Sequence, residues 1–425
     1  MASRKPNVVF LFADQWRQQA TGFAGDPNVH TPNLNKLAEE SLVFTNAVSG
    51  CPVCSPYRAS LLTGQRPLTH GVFVNDVPLV PKGPTLGESF AAAGYTTGYI
   101  GKWHVNDHGR SAFIPPERRF GFQYWKVLEC THDYNHSLYY EGDSSEKKMW
   151  DGYDAIAQTR DAQEFIRNHS KGDPFFLVLS WGPPHEPYHT APHEFQKQYN
   201  AENLILRGNV PQDLQPNARK WLAGYYAHCS ALDQCVGDIL KTLYQCGIEQ
   251  DTLLVFTSDH GDMLGSQGEC FKQRPWDESI RVPFVLHLPS TFHKRTGTRP
   301  IPIDAPDILP TLLGICNLSI PESVEGKDYS PHIKGEKQEF DDAALIMCPH
   351  PFGQWTAKHH GGRAYRGIRT ERFTYVRDLK QPWLLYDNFT DPIQMLNLAD
   401  DPQYTKLQQR LDDRLHRLLE NTGDE

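Results

Sequence analysis

Several large functional classes are excluded by what the chain has little of. No apolar run approaches the roughly 20 residues that cross a bilayer, so a membrane-spanning protein is not expected. No lysine- or arginine-rich stretch supplies the basic face that nucleic acid or an anionic membrane surface requires. The formal charge of −9 is mild for 425 residues. Cysteines number nine, an odd and scattered set, which is not a disulfide framework. Cys235, Cys246 and Cys316 sit among apolar neighbours and read as small buried hydrophobes. The opening MASRKPN runs straight into the strand-like VVFLFA, too short for a signal peptide. A soluble, cytoplasmic protein is expected as the chain stands, or a periplasmic or secreted one if a leader has been removed. Repeats and low-complexity segments are missing too.

What is present alternates. NVVFLFAD (7–14) is a continuous apolar run ending in a polar residue, as a buried parallel strand would be. TPNLNKLAEESLVF follows with a threonine in cap position, proline at the first helical position and apolar residues at helical spacing. TLGESFAAAGY (85–95) reads as a helix stopping at Gly94, followed by the strand YTTGYIGKWH. Further on come the helix DAQEFIRN, the strand PFFLVLSW and a long helix over 217–246, with Leu222, Tyr225, Leu232, Val236, Ile239 and Leu243 on one face. TLLVFTSDH, RVPFVLHLP and the helix DAPDILPTLLGIC complete the pattern. An α/β fold is expected, with a largely parallel central sheet sandwiched by helices. After about residue 335 the texture changes: GEKQEFDD is linker-like, and ALIMC, AYRGIRT, RFTYVRD and WLLYD follow without long helices between them. The reading is a catalytic α/β domain over 1–335 and a small α+β subdomain over 336–425, with an antiparallel sheet and a closing amphipathic helix.

In an open parallel sheet, ligands bind beyond the carboxyl ends of the strands, and unusual polar clusters stand there. They are Asp14-Gln15, Gly101-Lys102-Trp103-His104, His185 just past PFFLVLSW, and Ser258-Asp259-His260-Gly261-Asp262. Any one of them alone reads as a solvated loop; four on one edge read as a site. Asp14, Gln15, Asp259 and His260 make a divalent-cation site, in which oxygen donors favour calcium or magnesium and the imidazole admits manganese. Lys102, His104, His185, Arg58 and Lys272 would line a cationic pocket suited to a tetrahedral oxyanion.

Residues 51–64, CPVCSPYRASLLTG, admit three readings: a redox dithiol, half of a zinc site, or one functional cysteine beside a bystander. Zinc would want a second C-x-x-C, which the chain lacks. A thioredoxin-like pair leaves Ser-Pro-Tyr-Arg and the strand-end clusters unexplained. The third reading uses Cys54 alone, followed by Ser55-Pro56-Tyr57-Arg58 and Thr63-Gly64.

Those residues carry a resemblance. CSPYRASLLTG is similar to the signature of the type I sulfatases, members of the alkaline-phosphatase-like superfamily, in which the cysteine of C-x-P-x-R is oxidised to Cα-formylglycine. Cys51 is outside that frame, because Val53 stands where proline is required. PNVVFLFADQ, GKWH, PPHEPY, SDHGDMLG and FKQRPWDESIRVP resemble the family's remaining motifs in order, and YRGIRTERFTYVRD and LYDNFTDPIQMLNLADDP its C-terminal subdomain. The resemblance implies an alkaline-phosphatase-like fold and hydrolysis of a sulfate ester. It implies a formylglycine made from Cys54 by a sulfatase-maturing enzyme, and one divalent cation, calcium first and magnesium or manganese after it, held by Asp14, Gln15, Cys54, Asp259 and His260. Catalytic roles fall to Cys54, Arg58, Lys102, His104, His185 and Lys272: Arg58 reaches back to the nucleophile and sulfate, His185 or Lys272 protonates the leaving group, and His104 acts as base. Gln15 and His260 depart from the commonest pattern, aspartate and asparagine, and resemble phosphonate monoester and phosphodiester hydrolases, which stay open as an alternative. A non-catalytic carbohydrate-binding relative and a thiol oxidoreductase stand further back. The expected substrate is a sulfated saccharide, met by His350, Trp355, His359 and Arg363, with His132, His136 and His360 in similar histidine-rich stretches.

Overall fold

The computed structural model describes residues 5–292, 296–336, 342–353, 355 and 362–424. Its central strand is β1 (Asn7–Asp14), buried along its whole length. Alternation decides which layer each side chain joins: Val8, Phe10 and Phe12 enter one hydrophobic cluster, and Val9, Leu11 and Ala13 enter the other. The first layer contains the helices Cys54–Thr63, Leu86–Ala92 and Ala305–Ile315. The second contains Pro32–Glu39, Asp154–His169 and the long helix Gln215–Cys246.

The remaining strands of this sheet are β2 (Leu42–Phe44), β3 (Thr96–Lys102), β4 (Tyr124–Leu128), β5 (Leu138–Glu141), β6 (Lys148–Met149), β7 (Phe175–Pro184), β8 (Thr252–Ser258), β9 (Phe284–His287) and β10 (Gly297–Arg299). Their order is β10-β2-β9-β8-β1-β7-β3-β4-β5-β6. The run β8-β1-β7-β3-β4 is parallel throughout. Toward the edges the direction changes: RVPFVLHLP forms β9, which lies antiparallel to both β8 and β2, and β5 and β6 add an antiparallel edge. Sequence pattern marked neither change, because a buried strand reads the same in either direction. Since β8, β1, β7 and β3 point the same way, Asp259, Asp14, His185 and Lys102 emerge on one edge.

Two helix starts differ from expectation. Thr31 does not cap Pro32–Glu39 with its side chain; its hydroxyl accepts from Gly22 N (2.9 Å) and meets Asn35 Oδ1 (3.3 Å). Asp233, on the long helix, takes the free N–H groups of Asn33 (3.1 Å) and Leu34 (2.8 Å) instead. The helix expected around DAQEFIRN begins a full two turns earlier, at Asp154.

A second sheet, β11 (Ala343–Cys348), β12 (Tyr365–Thr370), β13 (Phe373–Asp378) and β14 (Pro382–Asp387), is an antiparallel meander. Leu411, Leu415 and Leu419 of the final helix, Thr405–Thr422, pack against Ile368, Tyr375 and Leu385 of its strands. No helix among the described residues is long and apolar enough to cross a membrane.

Two buried histidines give the fold a pH dependence. His228 meets the Tyr153 hydroxyl at 2.6 Å, and burial pushes its pKa from 6.5 down to about 4. Burial and then Lys82 push His70 down to about 3. Both folded-state values lie below the unfolded one, so the unfolded chain takes up the extra protons as pH falls through 6.5. From pH 6.5 toward 4.5 each histidine should therefore withdraw about 1.4 kcal/mol per pH unit. The buried Asp154 and Asp304 carboxyls, whose pKa values burial raises to about 8 and about 7, act in the opposite sense over that window. Urea unfolding of the wild type and His228→Gln across that window separates the two: the variant should lose less stability than the wild type as pH falls, and parallel profiles would contradict this.

Candidate active site

The acidic end of the site is organised by one arginine. Arg58, on the second turn of the helix Cys54–Thr63, is 1% exposed and lies over the Phe12 ring, 4.7 Å from its centroid. Its Nε and one terminal nitrogen donate to Asp259 Oδ2 at 3.2 and 3.1 Å, and the same nitrogen reaches Asp14 Oδ2 at 3.5 Å. The other terminal nitrogen donates to Lys102 O (3.0 Å) and Ser180 Oγ (2.9 Å). This differs from the expectation that Arg58 reaches back to the nucleophile. With its donors committed to two carboxylates, a carbonyl and a hydroxyl, the guanidinium works as a strut beneath the acidic pair.

Asp14 and Asp259 are fully buried. Burial and the Cys54 sulfur push the Asp14 carboxyl up, but Lys102, His185 and Arg58 outweigh them and hold it well below the usual range. For Asp259, burial and the charge of Asp14 win, and its pKa is raised. A divalent cation between them would relieve that repulsion. The donor set fits one: ligand atoms of Asp14, Cys54, Asp259 and His260 all lie within 4.8 Å of one another, every residue buried.

Gln15 and His260 fit the same role by their outer contacts. Gln15 Nε2 donates to Glu186 (2.8 Å) and Asp262 Oδ2 (2.7 Å). Two carboxylate oxygens on this side place the amide nitrogen here, leaving Oε1 buried and without a partner among the described residues. His260 Nδ1 donates to Gly261 O at 3.0 Å, which turns Nε2 toward the cluster, 3.3 Å from Cys54 Sγ.

Cys54 is the first residue of its helix and 1% exposed. Burial opposes charge on the thiol, but Lys102, Lys272 and His260 outweigh it and lower the pKa far below 9.0. Lys272 Nζ lies 3.0 Å from Cys54 Sγ and 3.0 Å from His185 Nε2. His185 Nδ1 donates to Glu186 O (3.0 Å), so Nε2 accepts from the Lys272 ammonium. Burial and Lys272 keep His185 well below 6.5 and neutral, so the proton of this pair resides on Lys272. Lys102 Nζ is paired with Asp14 Oδ2. His104 is 2% exposed; burial works against its charge, yet Cys130 and Asp76 help to lift its pKa to about 9. Several of these positions hold left-handed backbone: Gln15 (φ 67°), His104 (63°), and Phe271 (61°) and Gln273 (75°) on either side of Lys272.

Ten residues singled out in the sequence converge here: Asp14, Gln15, Cys54, Arg58, Lys102, His104, His185, Asp259, His260 and Lys272. Cys51 belongs elsewhere, in a cluster with Ala343, Leu345 and Met347 of the C-terminal sheet, where burial and Cys348 raise its pKa. All nine cysteines are free thiols, so no dithiol bridge joins 51 to 54.

The residues expected to meet a sugar fare differently. Trp355 is 1% exposed, enclosed by Trp276 and Trp383 with the Arg274 guanidinium over its ring at 4.7 Å. A ring so enclosed has no face for a sugar; its work is to hold Arg274, whose Nη1 donates to the Lys272 carbonyl. Arg363 pairs with Asp378 (2.8 Å) and covers Trp383. His350 is exposed, His136 pairs with Asp133 at the surface, and His359 and His360 lie outside the described residues. His132 does reach the site, stacked on His185 with ring centroids 4.5 Å apart.

Sequence reasoning missed Asp76, Glu186, Asp262 and Cys130. Glu186 and Asp262 lie inside quoted motifs, but their part is to accept from Gln15 Nε2, a contact that only the folded chain shows. Cys130, with its pKa lowered to about 6 by Lys102, His104 and His132 against the effect of burial, follows a strand that the pattern did not mark.

A family model described as Sulfatase matches residues 6–318, and one described as N-sulphoglucosamine sulphohydrolase, C-terminal, matches 265–421. The chain is 46% identical to an ulvan-active sulfatase of Formosa agariphila, over 99% of this chain and 82% of that protein. A solved structure from work on glycosaminoglycan metabolism by Bacteroides thetaiotaomicron superposes with a TM-score of 0.89 at 29% identity, covering 99% of this chain and 97% of that one. A phosphonate monoester hydrolase of Agrobacterium radiobacter shares the fold, with a TM-score of 0.78 at 24% identity over 98% and 96% of the two chains.

Proposed function

The chain belongs to the sulfatase family and is a sulfuric ester hydrolase; from that premise we propose that it cleaves the sulfate ester of a sulfated carbohydrate at residue 54. In this reading a maturing enzyme oxidises Cys54 to Cα-formylglycine, and Asp14, Gln15, Asp259 and His260 hold one divalent cation beside it. Calcium suits the oxygen-dominated donors best, with magnesium and manganese as the competing ions. The hydrated formylglycine supplies a nucleophile that afterwards releases its sulfate without a second attack at sulfur, and the cation supplies charge for the ester oxygens.

The observation that carries the reading is the position of the Cys54 sulfur, which stands in for that group's oxygens. It lies 3.0 Å from Lys272 Nζ and 3.3 Å from His260 Nε2, at the start of a helix. Lys102 and Lys272 give the pocket two buried-side ammoniums for an anion that the helix N-terminus also favours. Arg58 keeps the two carboxylates in place. His104 borders residue 54 and, once it has given up the proton that Cys130 and Asp76 favour on it, is the base for the second diol hydroxyl. The carbohydrate class is supported by the ulvan-active relative.

Paired kinetics on an aryl sulfate and the matching aryl phosphonate test the ester class. Higher kcat/KM on the sulfate is expected; faster phosphonate turnover would transfer the chain to the rival activity, which has fold-level similarity in its favour.

The proton on Lys272 has its own consequence. A sugar alcohol is a poor leaving group and needs protonation, whereas an activated phenolate does not. Lys272→Ala should lower kcat on a sulfated sugar by about 10²–10⁴-fold, the span of general acid catalysis, and much less on 4-nitrophenyl sulfate. Equal losses on both substrates would show that Lys272 acts only through charge.

A further inference from the structure

We propose that Asp76 is a positioning residue for His104, fixing which imidazole nitrogen is presented to residue 54. This rests on the reading of residue 54 as the nucleophile. Asp76 Oδ1 lies 3.2 Å from His104 Nε2, while Arg110 clamps the carboxylate from the other side, Nε to Oδ1 at 3.3 Å and a terminal nitrogen to Oδ2 at 2.9 Å. Hydrogen bonds from His104 and Arg110 hold the Asp76 carboxyl far below its usual range, so it is ionised. An ionised carboxylate only accepts, and therefore His104 Nε2 must carry a hydrogen. That leaves Nδ1, which is buried, to face residue 54, against whose thiol the ring lies.

The backbone points the same way. Asp76 has φ 59° and His104 φ 63°, both in the left-handed region that non-glycine residues rarely occupy. Such strain persists where the surroundings hold it, and here they do. Ser55, next to residue 54, donates through Oγ to His104 O (2.7 Å) and through its amide to Asn75 Oδ1 (3.0 Å). The first turn of this helix thus fastens His104 itself and Asn75, the neighbour of Asp76. Glu129, a second carboxylate near His104, accepts the amides of Asn106 (2.7 Å) and Asp107 (3.1 Å) through Oε1 and makes no hydrogen bond to His104 among the described residues.

The test uses Asp76→Gly and Asp76→Asn in the full chain. Glycine keeps the left-handed backbone without strain and removes only the acceptor; asparagine keeps an acceptor oxygen. With an aryl sulfate, Asp76→Gly should lower kcat about 10- to 100-fold, a part of what a positioned base contributes, with KM nearly unchanged. Asp76→Asn should regain most of that loss. A second readout needs no turnover: with ¹⁵N-labelled histidine and unconverted Cys54, the wild type should show a hydrogen-bonded His104 Nε2–H, assigned by its loss in His104→Asn. It should vanish or shift in Asp76→Gly and persist in Asp76→Asn. An unchanged Nε2–H signal in the glycine variant, or a kcat within about twofold of wild type, overturns the proposal. If the wild type cleaves no sulfate ester, the underlying reading has failed, and the Nε2–H signal still decides whether Asp76 holds the ring.

Discussion

Cys54→Ala should reduce sulfate-ester turnover by at least about 10⁴-fold, because in the proposed reading it deletes the nucleophile and no described residue stands ready to replace it. Lys102, Lys272 and the carboxylates remain, so the variant should still bind an anion while failing to cleave. Cys51→Ala is the internal control. Although only three positions away, Cys51 packs with Leu345 and Met347 under the C-terminal sheet, and its thiol is pushed up where that of Cys54 is pulled down. Its replacement should leave kcat within about twofold, with a stability cost of about 1 kcal/mol for the small cavity. Steady-state kinetics on the two variants checks both halves. Loss of activity in both would revive a dithiol mechanism.

Arg58→Met should cost both stability and activity, and the cause is electrostatic. The methionine retains an apolar stem for the Phe12 ring but leaves Asp14 and Asp259 facing each other with Lys102 as the remaining strong cation. Removing one partner of a buried charge cluster costs about 3–5 kcal/mol, and kcat should fall by about 10²–10³-fold as the carboxylates splay. A bound divalent cation partly replaces the missing charge, so calcium should raise the unfolding temperature of Arg58→Met. Chelator should lower it further. Thermal unfolding with calcium and with chelator measures this. A variant as stable as wild type in chelator would show that Arg58 is not what holds the acidic pair.

The site was readable in the sequence because its parts terminate strands. Asp14-Gln15, Lys102-x-His104, His185 and Asp259-His260 each follow an apolar run, and parallel neighbours bring run-ends together whatever the loops do. Cys54 was singled out by its motif, and the fold places it among these strand ends. Asp76 was not, because it stands in a loop after a short turn, and only the folded chain brings it to His104. Arg58 was placed correctly and its partners were not: helical spacing shows which face a residue occupies, but not whether its donors are already taken. Trp355 misled for a related reason. An aromatic in a glycine- and histidine-rich loop looks like a sugar platform until packing against Trp276, Trp383 and Arg274 is seen. The direction of β9 and the remote capping of Pro32–Glu39 by Asp233 were equally invisible, since both depend on partners far along the chain.

The most direct test is the mass of the tryptic peptide containing residue 54, taken from protein that releases sulfate and was made in a host with a sulfatase-maturing enzyme. The account predicts formylglycine at residue 54 and an unmodified thiol at Cys51. An unmodified Cys54 in fully active protein would contradict it.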